Sequence, residues 1–247
     1  AIVSSAFYGD KLSHGRSEPL GGTRPLPAPL ERPLTWITTD GFGETGFQTE
    51  DKQRKGALFN TVEAELIVSL ILSWDSDEAF GSWLTAQTEF SKSIGIICSY
   101  RAQSHLIQQK LKRVHLSDAM RATIKVDTID SYQGKQNPIV ILSLVRNNAD
   151  GQNDGVVTTI REGFMAQPNR LNVAISRAMD RLVLVGAAAR WRSESPMARI
   201  LEGFQKQEEN QQATFIDGPA LKIQLDEQSS HLKKLKPVTI SLVEVLA

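Results

Sequence analysis

The run Ile139-Val-Ile-Leu-Ser-Leu-Val145 constrains this chain more than any other stretch. A strand with one wet face alternates apolar and polar residues. A strand that is apolar at nearly every position must be covered on both faces, as in a parallel sheet packed between helices. Four further short apolar runs fit the same role: Leu34–Thr38, Ile94–Cys98, Thr123–Val126 and Leu182–Val185. The segments between them have helical period. Thr61–Trp74 sets Val62, Leu66 and Leu70 on one side, with Asn60 and Glu63 as a capping pair. Arg101–Val114 turns Leu106, Ile107 and Leu111 inward, and Asn169–Met179 follows Pro168 as a third helix. Strand–helix alternation of this kind predicts an α/β domain with a mainly parallel sheet.

Residues 16–33 carry five prolines and two glycines, which excludes a helix or a central strand there. They are expected to form an extended loop within a loop-rich insertion over residues 14–60. Past residue 203 the chain turns polar and glutamine-rich, so residues 1–203 are expected to form the domain and 204–247 a C-terminal extension, with a late strand over Val238–Leu246. No apolar run approaches the roughly 20 residues of a membrane-spanning helix, and no membrane partner is expected. The lone Cys98 excludes an internal disulfide framework and fits a reducing intracellular compartment, cytoplasm or nucleus. The first residue is Ala rather than Met and no signal-peptide pattern follows, so a piece of a larger protein is expected.

The 28 basic and 28 acidic side chains cancel, yet they are not mixed evenly. Residues 62–90 hold Glu63, Glu65, Asp75, Asp77, Glu78 and Glu89 and no Lys or Arg. Residues 101–135 and 166–199 carry a basic excess. Local patches set the local field, so a phosphate-bearing partner stays open despite a neutral total. Several weaker signals fail on context. Gly41-Phe-Gly43-Glu-Thr-Gly46 has dinucleotide-loop spacing but opens no apolar-faced helix. Gly134-Lys135 lacks the first P-loop glycine, since Ile129 stands there, and Gln136 replaces the Ser or Thr. The four histidines have no metal-ligand spacing. Cys98, at the end of an apolar run, fits the core.

Three segments carry more. They are Ile94-Gly-Ile-Ile-Cys-Ser-Tyr100-Arg101-Ala-Gln103; Val126-Asp-Thr-Ile-Asp130-Ser-Tyr-Gln133-Gly134-Lys-Gln136; and Asn169-Arg170-Leu-Asn172-Val-Ala-Ile-Ser-Arg177-Ala178. In order, each beside an expected strand, they resemble motifs IV, V and VI of superfamily 1 helicases. The nearest resemblance is to the 5′-to-3′ branch containing the nonsense-mediated-decay RNA helicase and senataxin. The opening Phe7-Tyr8-Gly-Asp-Lys-Leu12 is similar to the start of the second motor domain in that branch. The resemblance covers roughly residues 1–190 and implies a RecA-like α/β fold of P-loop NTPase type, here without its own Walker A.

It further implies half of an ATP site and half of a track for single-stranded DNA or RNA, completed by a first RecA-like domain. That domain would also hold the magnesium bound with ATP. Tyr100 would lie against the adenine, Arg101 would approach the terminal phosphates, and Gln133 and Gly134 would form the turn joining the two sites. Arg177 would be the arginine finger, and Arg146 and Asn172 would couple the motifs or touch the nucleic acid. On general grounds ligands gather at the carboxyl ends of strands, and the candidates are expected there. Two departures stand out. Gln136 occupies the place of a ribose-binding Glu, and Cys98-Ser99 the place of Thr-Pro. Gln136 also favours an alternative: a non-catalytic nucleic-acid-binding or protein-docking module derived from such a domain.

Overall fold

The computed structural model describes residues 2–9, 11, 26–87, 92–148 and 159–235. Its centre is a six-stranded sheet in which every pairing is parallel. The strands are β1 (Leu34–Thr38), β4 (Ile94–Cys98), β5 (Ile124–Thr128), β6 (Asn137–Ser143), β7 (Ala178–Gly186) and β8 (Ala213–Asp217), in the spatial order β5-β4-β6-β7-β1-β8. A separate two-stranded hairpin pairs β2 (Thr49–Glu50) with β3 (Leu58–Phe59). The expected RecA-like α/β class is the observed one.

The continuous apolar runs have the anticipated cause. Ile139, Ile141, Val183 and Val185 pack into one core with Ile94, Ile96 and Cys98, while Val140, Leu142, Leu182 and Leu184 pack into a second on the other face. The first core is covered by α2 (Thr61–Asp75), α3 (Glu78–Ala86), α4 (Arg101–Arg113), α5 (Asp118–Thr123) and α8 (Gly218–Leu235). The second lies under α1 (Ile2–Tyr8), α6 (Pro168–Ile175) and α7 (Pro196–Glu209). β6 starts two residues earlier than its apolar run because Asn137-Pro138 joins with a register shift before Ile139, the kind of strand start where proline's missing donor does little harm. It also ends earlier, since Val145 turns left-handed at φ 72°.

Two expectations need correction. The third helix stops at Ile175 and β7 opens at Ala178, so Arg177 lies in the turn between them rather than on a helix. Residues 34–38 form the expected strand, here in the interior of the sheet and hydrogen-bonded on both sides. The polar tail is structured: residues 204–235 supply the end of α7, the edge strand β8 and α8. The late strand over Val238–Leu246 and the proline-rich residues 16–25 lie outside the described residues.

Candidate functional site: two ends of one sheet

The path of residues 129–136 decides the geometry. β5 ends at Thr128, and buried Ile129 and Tyr132 then pin the chain to one face of the sheet as it runs back toward the opposite end. There the Asn137 N–H, at the first residue of β6, donates at 3.0 Å to the carbonyl of Arg177, the residue before β7. The motif V turn therefore sits at the amino ends of the strands. It is a type II turn, closed by the Lys135 N–H on the Tyr132 carbonyl at 3.1 Å, with Gln133 at φ −58°, ψ 131° and Gly134 at φ 78°. Position three of that turn requires positive φ. Space in front of Gly134 is open, so the glycine answers to conformation rather than to crowding.

Arg177 joins this turn. Its guanidinium donates to the Val173 carbonyl at 2.9 Å, the Ser176 hydroxyl at 2.9 Å and the Lys135 carbonyl at 3.3 Å. Gln133, Gly134, Lys135 and Gln136 are exposed beside it. Two cations and a turn of exposed polar residues thus form one patch whose chemistry fits a polyphosphate. Asn172, on α6, is tied elsewhere: its amide donates to the Tyr8 hydroxyl at 2.8 Å, joining α6 to α1.

Tyr100 and Arg101 stand at the other end. They follow β4 directly, and five- to seven-residue strands separate the two ends by roughly 16–23 Å. The expected convergence of Tyr100, Arg101, Gln136 and Arg177 is not what the fold produces. Tyr100 is only 6% exposed, packed with Leu58 and Val145. Its ring meets the Phe164 ring edge-on at 5.1 Å, and its hydroxyl accepts from Arg146 Nε at 2.9 Å. A ring so enclosed offers no face to an adenine. Gly163 accounts for part of the enclosure: a Cβ there would sit 2.6 Å from the Tyr100 hydroxyl.

Arg101 opens α4 and is exposed in a groove of about 740 Å³ that also takes in Arg54, Lys55, His105, Asp130 and Phe164. Tyr100, the N-cap of α4, makes no side-chain cap bond, so this 13-residue helix starts beside the groove without a capping side chain. A helix start of that kind favours anions. Phe164 is 39% exposed with the Arg170 guanidinium 4.6 Å from its ring centre, and Arg170 pairs with Asp130 at 3.4 Å. Arg54, Lys55 and Phe164 were not legible as site residues, because the hairpin and the residue 163–166 turn reach the groove only through the tertiary fold; His105 lies one helical turn beyond Arg101 on α4, and that spacing was the signal for it.

Behind the groove lies a buried polar network that the sequence disclosed only as a helix cap. Asn60 does cap α2, accepting from the Glu63 N–H at 3.1 Å, but the Glu63 side chain does not return to Asn60. It turns inward, accepting from the Ser143 hydroxyl at 2.6 Å and the Val145 N–H at 2.9 Å. Burial raises its carboxyl from 4.5 to about 8, against the lowering effect of those hydrogen bonds. Burial, with the Glu63 charge second, pushes the neighbouring Cys98 thiol up as well. A folded-state value above the unfolded one means that the folded chain holds the proton more tightly. The associated stability is complete below 4.5 and is lost as pH rises through about 8. Glu63→Gln keeps the shape without the charge, so the variant's melting temperature should fall less than the parent's over that window. The full linkage slope for one proton is about 1.4 kcal/mol per pH unit. Parallel thermal denaturation curves for parent and variant at all pH values would show that Glu63 does not titrate in this way.

Among the described residues no group of three or more His, Cys, Asp or Glu side chains is placed to hold a metal ion, and no helix is long and apolar enough to cross a membrane. Residues 1–189 match the family described as AAA domain. The human DNA replication ATP-dependent helicase/nuclease DNA2 is 33% identical over 189 residues, covering 76% of this chain and 14% of the relative. The mouse 5′-3′ DNA helicase ZGRF1 is 28% identical over 235 residues, covering 95% and 10%. The Schizosaccharomyces pombe helicase required for RNAi-mediated heterochromatin assembly 1 is 29% identical over 168 residues, covering 66% and 15%. The chain thus spans 10–15% of the length of these relatives. With a parallel RecA-like sheet, the motif V and VI residues gathered at its amino ends, and these relatives, the chain belongs to the AAA-domain family typical of the C-terminal region of superfamily 1 helicases.

Proposed function

We propose that this chain is the second motor domain of an ATP-dependent helicase or translocase, and that the two ends of its sheet do separate work. The amino-end patch of Gly134, Gln136 and Arg177 serves ATP. The carboxyl-end groove, with Arg54, Lys55, Arg101 and His105, serves single-stranded nucleic acid. The observation that carries this reading is the seat of Arg177 against the Lys135 carbonyl, which makes the arginine and the motif V turn one surface. From there a guanidinium can meet charge as it shifts during phosphoryl transfer. Gln136 would accept a ribose hydroxyl, more weakly than a carboxylate would. A first RecA-like domain would complete the ATP site and supply the magnesium ligands. The branch with the nonsense-mediated-decay RNA helicase and senataxin is part of the proposal, as is 5′-to-3′ polarity, which the name of the mouse relative carries.

Tyr100 and Arg101 change roles under this reading. Tyr100 is a wall of the groove and Arg101 a phosphate contact; Arg146 braces Tyr100 there, Gln133 stays with the amino-end turn, and Asn172 ties α6 to α1. Gln136 keeps a second reading in view, a domain that binds without turnover. ATP hydrolysis by a polypeptide carrying both motor domains decides between them.

The experiment for the groove is fluorescence anisotropy with a fluorescein-labelled single-stranded thymidine 20-mer. Three phosphate contacts, from Arg54, Lys55 and Arg101, predict a loss of affinity of about 20-fold between 50 and 200 mM salt. Lys55→Ala with Arg101→Ala should flatten most of that dependence. An unchanged salt slope in the double variant would remove the groove from the track. The 247-residue chain alone should hydrolyse no ATP, and clear turnover would overturn the half-site assignment.

A further inference from the structure

Val145 holds φ 72°, a conformation that costs a β-branched residue free energy and persists only where its surroundings impose it. Both of its backbone groups are held from one place. Its N–H donates to Glu63 Oε2 at 2.9 Å, and its carbonyl accepts from Asn60 Nδ2 at 3.1 Å. Asn60 and Glu63 are the cap and third residue of α2, and both are fully buried. The next residue, Arg146, delivers its Nε to the Tyr100 hydroxyl at 2.9 Å, with its guanidinium 5.7 Å from the ring centre. Val145 itself packs against Tyr100 and Leu58. The same network grips α4. Gln103 accepts from the Asn60 N–H at 2.8 Å, and its amide donates to the Asn60 carbonyl at 3.1 Å and to the Ser143 hydroxyl at 3.0 Å. Gln103 lies two residues beyond Arg101.

We propose that Asn60 and Glu63 are positioning residues for the groove: they clamp Val145 in its left-handed bend, and the bend seats Arg146 on Tyr100 while Gln103 fixes the start of α4. Neither residue would touch a ligand. The inference rests on the groove being the nucleic-acid track, so its test has one arm that does not use nucleic acid. A buried carboxyl and amide could have served simply to satisfy the end of a helix. That role needs only Asn60 Oδ1 and the Glu63 N–H, and accounts for neither bond to Val145. The strain at Val145 gives the clamp a signature that ordinary core packing lacks. Glycine adopts the same φ at no steric cost, so it should make the clamp unnecessary.

The experiment uses the 247-residue chain in four forms: parent, Glu63→Ala, Val145→Gly, and the two changes together. Hydrogen–deuterium exchange of the segment 144–148 reads the clamp, and anisotropy with the labelled thymidine 20-mer at low salt reads the groove. Glu63→Ala should keep the helical circular dichroism signal, speed exchange at 144–147, and weaken oligonucleotide binding about tenfold, the scale of losing one or two buried hydrogen bonds. Val145→Gly added to Glu63→Ala should recover much of the lost affinity, since glycine takes the bend without the steric strain that the clamp otherwise has to overcome. If Glu63→Ala does not fold, Asn60→Asp carries the same test, because it keeps the cap acceptor and loses the donor to the Val145 carbonyl. Binding that stays as weak in the double variant as in Glu63→Ala overturns the proposal. So does unaltered exchange at 144–148 in Glu63→Ala. Should the parent bind no oligonucleotide, the groove assignment fails, and the exchange arm alone decides whether the clamp exists.

Discussion

Arg177→Ala, in a polypeptide that carries both motor domains, is expected to lower ATP turnover by about 10³-fold or more, the scale of other arginine fingers. The loss should fall on kcat rather than on ATP affinity, because a finger's charge matters most while the phosphoryl group is in flight. Stability should change modestly. The side chain is half-buried and its hydrogen bonds to Val173, Ser176 and Lys135 are each worth about 1 kcal/mol or less. Arg177→Lys should not restore turnover, since a compact ammonium cannot reproduce the planar fork of donors. Arg181→Ala makes an instructive contrast. Arg181 donates to the Leu30 carbonyl at 2.8 Å and pairs with Asp180 at 3.0 Å, with its side chain 13% exposed. Its replacement should lower the melting temperature and leave the turnover of the folded fraction near that of the parent. Turnover by Arg177→Ala within a few-fold of the parent would make Arg177 an ordinary turn residue and withdraw the chief support for a catalytic half-site.

Ending the chain at Gly203 is expected to abolish folding, whereas ending it at Leu235 should preserve it. Trp36, fully buried on β1, meets the Phe204 ring at 5.1 Å and stacks with Phe215 at 5.9 Å. Loss of a buried Phe ring costs about 3–5 kcal/mol, and a domain's whole stability is about 5–15 kcal/mol. The shorter chain also loses Leu221 and Leu225 from the other core and leaves β1 as a bare apolar edge, which invites aggregation. Circular dichroism and thermal melts of the two truncations measure this. A cooperative melt of the 1–203 chain within a few degrees of the full chain would mean that the last 44 residues are an accessory.

The sequence determined the class of fold and the residues of one patch. Apolar runs such as Ile139–Val145 had to be covered on both faces, and their helical spacers fixed a parallel α/β sheet. Local signals of that strength survive tertiary context, and β1 and β4 matched their expected limits to the residue. The pairing of Gly134 and Gln136 with Arg177 was legible as motifs, although the residues are some forty positions apart. β8 escaped because Ala213-Thr-Phe-Ile-Asp217 is a five-residue, half-exposed edge strand next to a polar run; its Thr-Phe-Ile core was the only local signal. Tertiary structure alone decided which end of the sheet each motif occupies. Residues that follow a strand normally stay at its carboxyl end, but burial of Ile129 and Tyr132 carries the motif V turn back across the face and away from Tyr100. It also decided what Glu63 does. A carboxyl at the third position of a helix reads as a cap in any sequence, and only the fold brings it the buried Ser143 hydroxyl and the N–H of the strained bend at Val145, some eighty residues away.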